Sequence, residues 1–344
     1  KAVLTEFSEI SETLIDDNGN GGTIQGFSSW KHRLSKELTL VSGLHYTTLL
    51  FNNKNSIEPR ASLRWNVNKK QYLTFGSGLH SKIENSSVYF ANTSNDKSKV
   101  ETANKNLELT KSAHFVIGYG NQLSDNISLK SEIYYQYLYD APVSSNFTDQ
   151  YSLLNTVGGY TTTPLVSKGK GKNYGVELTL ERSFTKGYYY IVTGSLYESK
   201  YTPLNGIEYS SRFDANYAGN FLFGKEFKLK GKNNNKTIAV NLKATLAGGN
   251  KYIPIDLENS IAKGETVYQE DSYYENNLED VFLLNLSLTY RVNKKKSTHE
   301  LKLDIQNVTN NQASVGYYFN NKDNKIESYT QLGLLPNFQY IIKF

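Results

Sequence analysis

Along most of this chain, apolar and polar residues alternate in short segments. From Val281 to Arg291, Phe282, Leu284, Leu286, Leu288 and Tyr290 share one face of an extended strand, and Asn285, Ser287, Thr289 and Arg291 share the other. In 300–308, Leu301, Leu303 and Ile305 alternate with Lys302, Asp304 and Gln306. In 237–246, Ile238, Val240, Leu242, Ala244 and Leu246 alternate with Asn241, Lys243 and Thr245. In 174–181, Val176, Leu178 and Leu180 alternate with Glu177, Thr179 and Glu181. A period of two predicts strands, and helical spacing fits none of these segments. The full pattern predicts strands over 1–11, 22–34, 37–50, 58–67, 70–83, 106–121, 126–140, 171–184, 187–201, 213–227, 236–250, 278–292, 298–309 and 335–344, about fourteen in all.

The links between these segments fall into two classes. Ser35-Lys36, Asn68-Lys69, Ser124-Asp125, Thr185-Lys186, 230–235 and 293–297 are short or compact. Alternating with them are 84–105, 141–170, 202–212, 251–277 and 310–334, long and rich in Asn, Ser, Gly, Asp and Tyr. Segment 51–58 is intermediate. Long unstructured loops count against a compact soluble sheet. Tight turns at one end and long loops at the other are what an antiparallel transmembrane barrel requires. The expected fold is therefore an all-β, up-and-down barrel, with 1–344 as one barrel domain and no linker dividing it. Ionisable residues on the polar faces are costly in a dry sandwich core and acceptable in a wet lumen.

Composition narrows the picture further. The chain has 344 residues, no Cys and no Met. A disulfide framework and thiolate metal sites are thereby excluded. The absence of Met at residue 1 suggests a processed product or a fragment. The net charge of +5 arises from 38 basic and 33 acidic residues, a mixed surface that does not suggest nucleic acid. The densest basic run, Lys294-Lys295-Lys296, falls in a tight turn. Twenty-seven Tyr stand against two Trp. Tyr joins an apolar ring to a polar tip and suits sheet surfaces and membrane interfaces. No apolar run reaches the length of a membrane-spanning helix, which leaves a barrel untouched as a possibility.

Candidate chemistry is sparse. Alternation puts His45, Arg64, His80, His114, Lys130, Glu132, Glu177, Glu181, Arg291, Lys302 and Asp304 on polar faces, where they would line a lumen. His32 is ambiguous in register, and His299 lies beside a turn. No His pair has local ligand spacing, so no metal site is expected. No nucleophile-elbow motif occurs, and Ser77 in Gly76-Ser77-Gly78 lies on the face opposite His80. Neither catalysis nor a cofactor is expected. Tyr160, Tyr252, Tyr273 and Tyr274 in the long loops are the candidate ligand contacts, because Tyr combines contact area with a hydrogen bond. At the C-terminus, Phe338, Tyr340, Ile342 and Phe344 alternate onto one face. A terminal aromatic on such a strand resembles the signal by which the barrel assembly machinery recognises outer-membrane barrels.

Several stretches, in order and at the right spacing, carry a family resemblance. They are IEPRASLRWNV (57–67), QYLTFGSGLH (71–80), NYGVELTLERSF (173–184), GYYYIVTGSLYESKY (187–201), GGNKYIPIDLENS (248–260), LNLSLTYRV (284–292), HELKLDIQNVTNNQ (299–312) and QLGLLPNFQYIIKF (331–344). From about residue 22 the chain resembles the barrel of TonB-dependent outer-membrane receptors of the Bacteroidetes type. The resemblance implies a barrel of about 22 strands around an N-terminal plug. It also implies import of a scarce, bulky nutrient (a metal chelate, vitamin, glycan or peptide), energised through TonB. At roughly 25 residues per strand, such a barrel needs on the order of 550 residues. The expectation is thus the C-terminal part of a barrel, with plug, TonB box and remaining strands outside this sequence. Implied partners are outer-membrane lipid, the plug and remaining strands, the TonB complex and the barrel assembly machinery, with a surface lipoprotein as a further candidate.

Two other readings use the same residues. One is a passive porin of about fourteen strands. The other is a barrel that anchors surface loops as a scaffold.

Overall fold

The computed structural model describes residues 2–5, 11–15, 21–94, 96, 99–158, 161–229, 235–269 and 272–344. Two short strands, β1 (Ala2–Thr5) and β2 (Ser11–Ile15), come first. The chain continues through β3 (Thr23–Arg33), β4 (Leu38–Leu49), β5 (Asn55–Asn66), β6 (Gln71–Lys82), β7 (Thr110–Ser124) and β8 (Ile127–Ser144). Next are β9 (Leu165–Thr185), β10 (Tyr188–Thr202), the two-residue β11 (Tyr209–Ser210), β12 (Tyr217–Leu229) and β13 (Lys236–Ala247). The last are β14 (Lys251–Tyr252), β15 (Asn276–Asn277), β16 (Val281–Asn293), β17 (Thr298–Gln306), β18 (Ser314–Asn320), β19 (Lys325–Thr330) and β20 (Leu335–Lys343).

Thirteen of these strands form one antiparallel sheet. In spatial order it runs β3 to β10 and then β12, β13, β16, β17 and β20, with β11 pairing on β10. Each strand is bonded to its neighbours in this chain order, which is an up-and-down meander. β3 and β20 are the edges and do not pair with each other. Between the strands, the alternation read from the sequence translates directly into register. Leu242 stands opposite Leu286, and Val240 opposite Leu288. Leu301 and Leu303 stand opposite Tyr340 and Phe338. Directly opposed residues share a face, so the apolar positions of successive strands merge into one continuous surface.

That surface has no second sheet packed on it. Ile133, Leu178, Leu196 and Phe338 are exposed by 61%, 52%, 63% and 65%. The cluster of buried apolar residues lies instead under the long loops, at the other end from the short turns. Leu49, Leu107, Leu109, Leu153 and Leu165 gather there with Val88 and Tyr89. A sandwich would bury its apolar face between two sheets. Here the apolar band faces outward and the small core caps one end.

Several expectations need correction. Segment 1–11 is not a strand of the main sheet: β1 and β2 pair with each other, because their register matches as a local hairpin. The long loops contain folded elements, and helices occur where none was expected. One is α1 (Ser86–Tyr89), and a second is α2 (Leu257–Lys263), which Asp256 caps by accepting from the Asn259 backbone N–H. β8 and β9 run on past the expected ends, pairing as far as Ser144 and Leu165. Segment 310–334 holds the β18–β19 hairpin, which pairs only with itself.

Candidate functional site

The pairing decides which way each candidate faces. Glu132 stands opposite Glu177, Lys130 opposite Thr179, and Glu181 opposite Ser128. His45 is opposite Glu58, and Arg64 is opposite both Thr39 and Thr74. His114 opposes Gly78, and His80 opposes Ser112. Arg291 is opposite Glu300, while Lys302 and Asp304 oppose Thr289 and Ser287. Followed strand by strand, these pairs put all the lumen candidates on the one polar face. His32 turns to the other face and stacks on Trp30, with ring centroids 4.9 Å apart. His299 also lies on the apolar side, 2.7 Å from the Tyr340 hydroxyl.

Near the loop end of β4 to β6, the polar face carries a cluster centred on Glu58. This carboxylate is only 2% exposed. It accepts from Ser81 and Arg60 and lies 3.2 Å from His45 Nδ1. The His80 and His114 rings lie 4.5 Å apart across β6 and β7. Farther toward the turns, the Arg64 guanidinium sits 3.6 Å from the centre of the Tyr72 ring. That ring occupies the space left by Gly120, where a Cβ would come within 2.1 Å of it. At the C-terminal edge, Arg291 and Lys343 both hold Glu300, at 2.9 Å and 3.1 Å.

A cavity of about 550 Å³ opens on the polar face of β8, β9 and β10. Glu132, Tyr134, Gln136, Asn173, Glu177, Tyr197 and Ser199 form its wall, and Leu154 and Phe213 roof it from the loops. Hydrogen bonds lead across the wall into the roof. Ser211 Oγ donates to Ser199, Ser199 to Asn173 Oδ1, and Asn173 Nδ2 to Gln136, at 2.6, 2.7 and 3.1 Å. Glu132 and Glu177 form no ion pair among the described residues. Paired carboxylates, amides and tyrosines offer a polar ligand both acceptors and donors, and the two apolar loop residues add a non-polar contact. Alternation found the two glutamates. The roof was missed, because Leu154 and Phe213 reach the wall only through loop folding.

The loop tyrosines pack on one another and on the end of β10. Tyr274 lies edge-on to Tyr201 at 6.2 Å and to Tyr273 at 6.0 Å. Tyr252 packs on Tyr317 at 4.9 Å. Tyr160 lies outside the described residues. Tyr274 has a backbone φ of 55°, an uncommon conformation for a bulky residue. Burial pushes the Tyr274 hydroxyl up to about 12, and burial does the same for Tyr89 at the end of α1.

No protein-family model matches the chain, and no curated protein sequence does. Solved structures do match in fold. The ferric yersiniabactin uptake receptor FyuA from Yersinia pestis aligns over 94% of this chain at 12% identity, with a TM-score of 0.61. BauA, the ferric preacinetobactin receptor from Acinetobacter baumannii, aligns over 94% at 11% identity and a TM-score of 0.60. The outer membrane transporter YddB from Escherichia coli aligns over 93% at 14% identity and a TM-score of 0.60. The chain spans 46%, 42% and 45% of these three proteins. Its sheet has the fold of part of an outer-membrane receptor barrel.

Proposed function

We propose that the chain is the C-terminal part of the barrel wall of a TonB-dependent outer-membrane importer of the Bacteroidetes type. The observation that carries this reading is the pairing of two surfaces on one sheet. A largely apolar face lies on one side, and a polar, charged face with a loop-lined cavity on the other. Lipid would cover the first and a water-filled lumen the second. The two bare edges, β3 and β20, would receive the remaining strands, because hydrocarbon does not tolerate unpaired backbone. A plug from elsewhere in the protein would fill the lumen and be displaced by TonB. The ligand is a bulky polar nutrient such as a metal chelate, vitamin, glycan or peptide. Glu132, Glu177 and the loop tyrosines Tyr252, Tyr273 and Tyr274 would contact it.

The test is uptake by cells carrying the full-length protein, with and without the energising inner-membrane protein. Import should fall to background without it, and also in the Glu132→Gln/Glu177→Gln variant of a correctly assembled barrel. Uptake that persists without energisation would instead indicate a passive pore.

A further inference from the structure

Near the short-turn end of β9, β10 and β12, the apolar face carries a basic cluster. Lys186 and Gly187 both adopt positive φ, 54° and 78°, making a tight two-residue turn between β9 and β10. This turn puts Tyr188 at the first position of β10. Lys225 stands directly opposite Tyr188, and Arg182 opposite Tyr190. All four side chains share the apolar face, since Arg182 also opposes Ile127 and Tyr190 opposes Phe223. The Arg182 guanidinium lies 4.3 Å from the Tyr188 ring centre, and Lys225 Nζ lies 5.1 Å from it.

Neither cation has an anion. Arg182 is only 9% exposed, and its Nε has no hydrogen-bond partner. Among the described residues, no carboxylate reaches Arg182 or Lys225 within ion-pair distance. At its Nε this guanidinium has lost water without gaining a hydrogen bond in its place. Two cations on one ring also repel each other. Both deficits are met by one phosphate oxyanion between them, which a guanidinium binds through two parallel N–H groups. The surroundings suit a lipid rather than a free ion. Tyr190, Phe223 and Val192 continue from the cluster along the apolar face, where acyl chains would lie. Along the same end of the sheet, the short turns together carry Lys36, Lys69, Lys70, Lys186, Lys294, Lys295 and Lys296, against Glu37 and Asp125. Such a basic rim attracts anionic headgroups.

We propose that Arg182, Tyr188 and Lys225 bind the phosphodiester of an anionic phospholipid in the leaflet that meets the short turns. This site rests on the membrane-barrel reading above. Its test uses the full-length protein in detergent micelles, with phosphatidylglycerol as the probe and native mass spectrometry as the readout. The wild type should retain bound phosphatidylglycerol, and Arg182→Gln/Lys225→Gln should retain about tenfold less. Lys225→Gln alone should show an intermediate loss, which keeps the test valid if the double variant does not fold. Heat-dependent gel mobility reports whether each variant is a folded barrel. Equal retention by folded wild type and variants would overturn the site. Displacement of the lipid by millimolar inorganic phosphate would overturn the lipid assignment in favour of a free-phosphate site. Partition of the wild type into water without detergent would overturn the barrel reading first, and the site with it.

Discussion

On the polar face of the sheet, Glu58 gathers side chains from three strands. It is buried, and Ser81, Arg60 and His45 all reach it. Removing one member of a buried charged cluster strands the others. Glu58→Ala should therefore destabilise the barrel by about 3 kcal/mol, and Glu58→Gln, which keeps the shape and two acceptor contacts, by about 1 kcal/mol. Urea unfolding from micelles would measure both. The sequence made His45 legible as a polar-face residue, because alternation is a property of the local chain. Glu58 follows the same parity as Arg60 but was not singled out. Arg60 reaches it by that local alternation, but only the packing of β4 and β6 beside β5 brings His45 and Ser81 onto the same carboxylate.

At the scale of elements, the loops depart most from expectation. The β18–β19 hairpin pairs only with itself and touches the rest through few bonds, such as Phe319 N–H to Thr266 and Ser314 N–H to Glu279. Replacing 314–330 with a short Gly-Ser linker should leave the sheet folded, as judged by heat-dependent gel mobility. In a transport assay the same variant should lose ligand uptake if the loops capture the ligand. The loop core makes a separate prediction through pH. Tyr89 and Tyr274 ordinarily ionise near 10.0 and are held protonated to about 12 in the folded state. Their contribution to stability is complete below pH 10 and is lost as pH rises through about 12. Tyrosinate absorbance should lag behind that of free tyrosine across this window, and proteolysis of the loops should rise with it. A titration matching free tyrosine would show that the loop core is open.

For the whole molecule, the decisive feature is a meander that ends in two unpaired edges. At one of them, Phe338, Tyr340 and Ile342 continue the apolar band of β17, and Phe344 is fully exposed beyond them. Lys343 ties the same strand to Glu300 and, through it, to Arg291. Deleting Phe344 should lower the amount of folded protein in the outer membrane several-fold while leaving the purified barrel stable, because no partner of Phe344 in the sheet is lost. An unchanged membrane level would sink the idea of a C-terminal assembly signal.

The sequence by itself determined the thirteen strands of the main sheet, their order, and which side of each is polar. Those follow from a period of two and from turn chemistry, both local, so they survive without knowledge of any partner. Tertiary structure alone decided what covers what. It brought Leu154, Ser211 and Phe213 from the loops onto β8 to β10, beside the cavity that holds Glu132 and Glu177. It also set Arg182 and Lys225 against Tyr188 on the apolar face. Most of these juxtapositions join residues on separate strands or loops, and their energies depend on burial and distance, which no local pattern encodes.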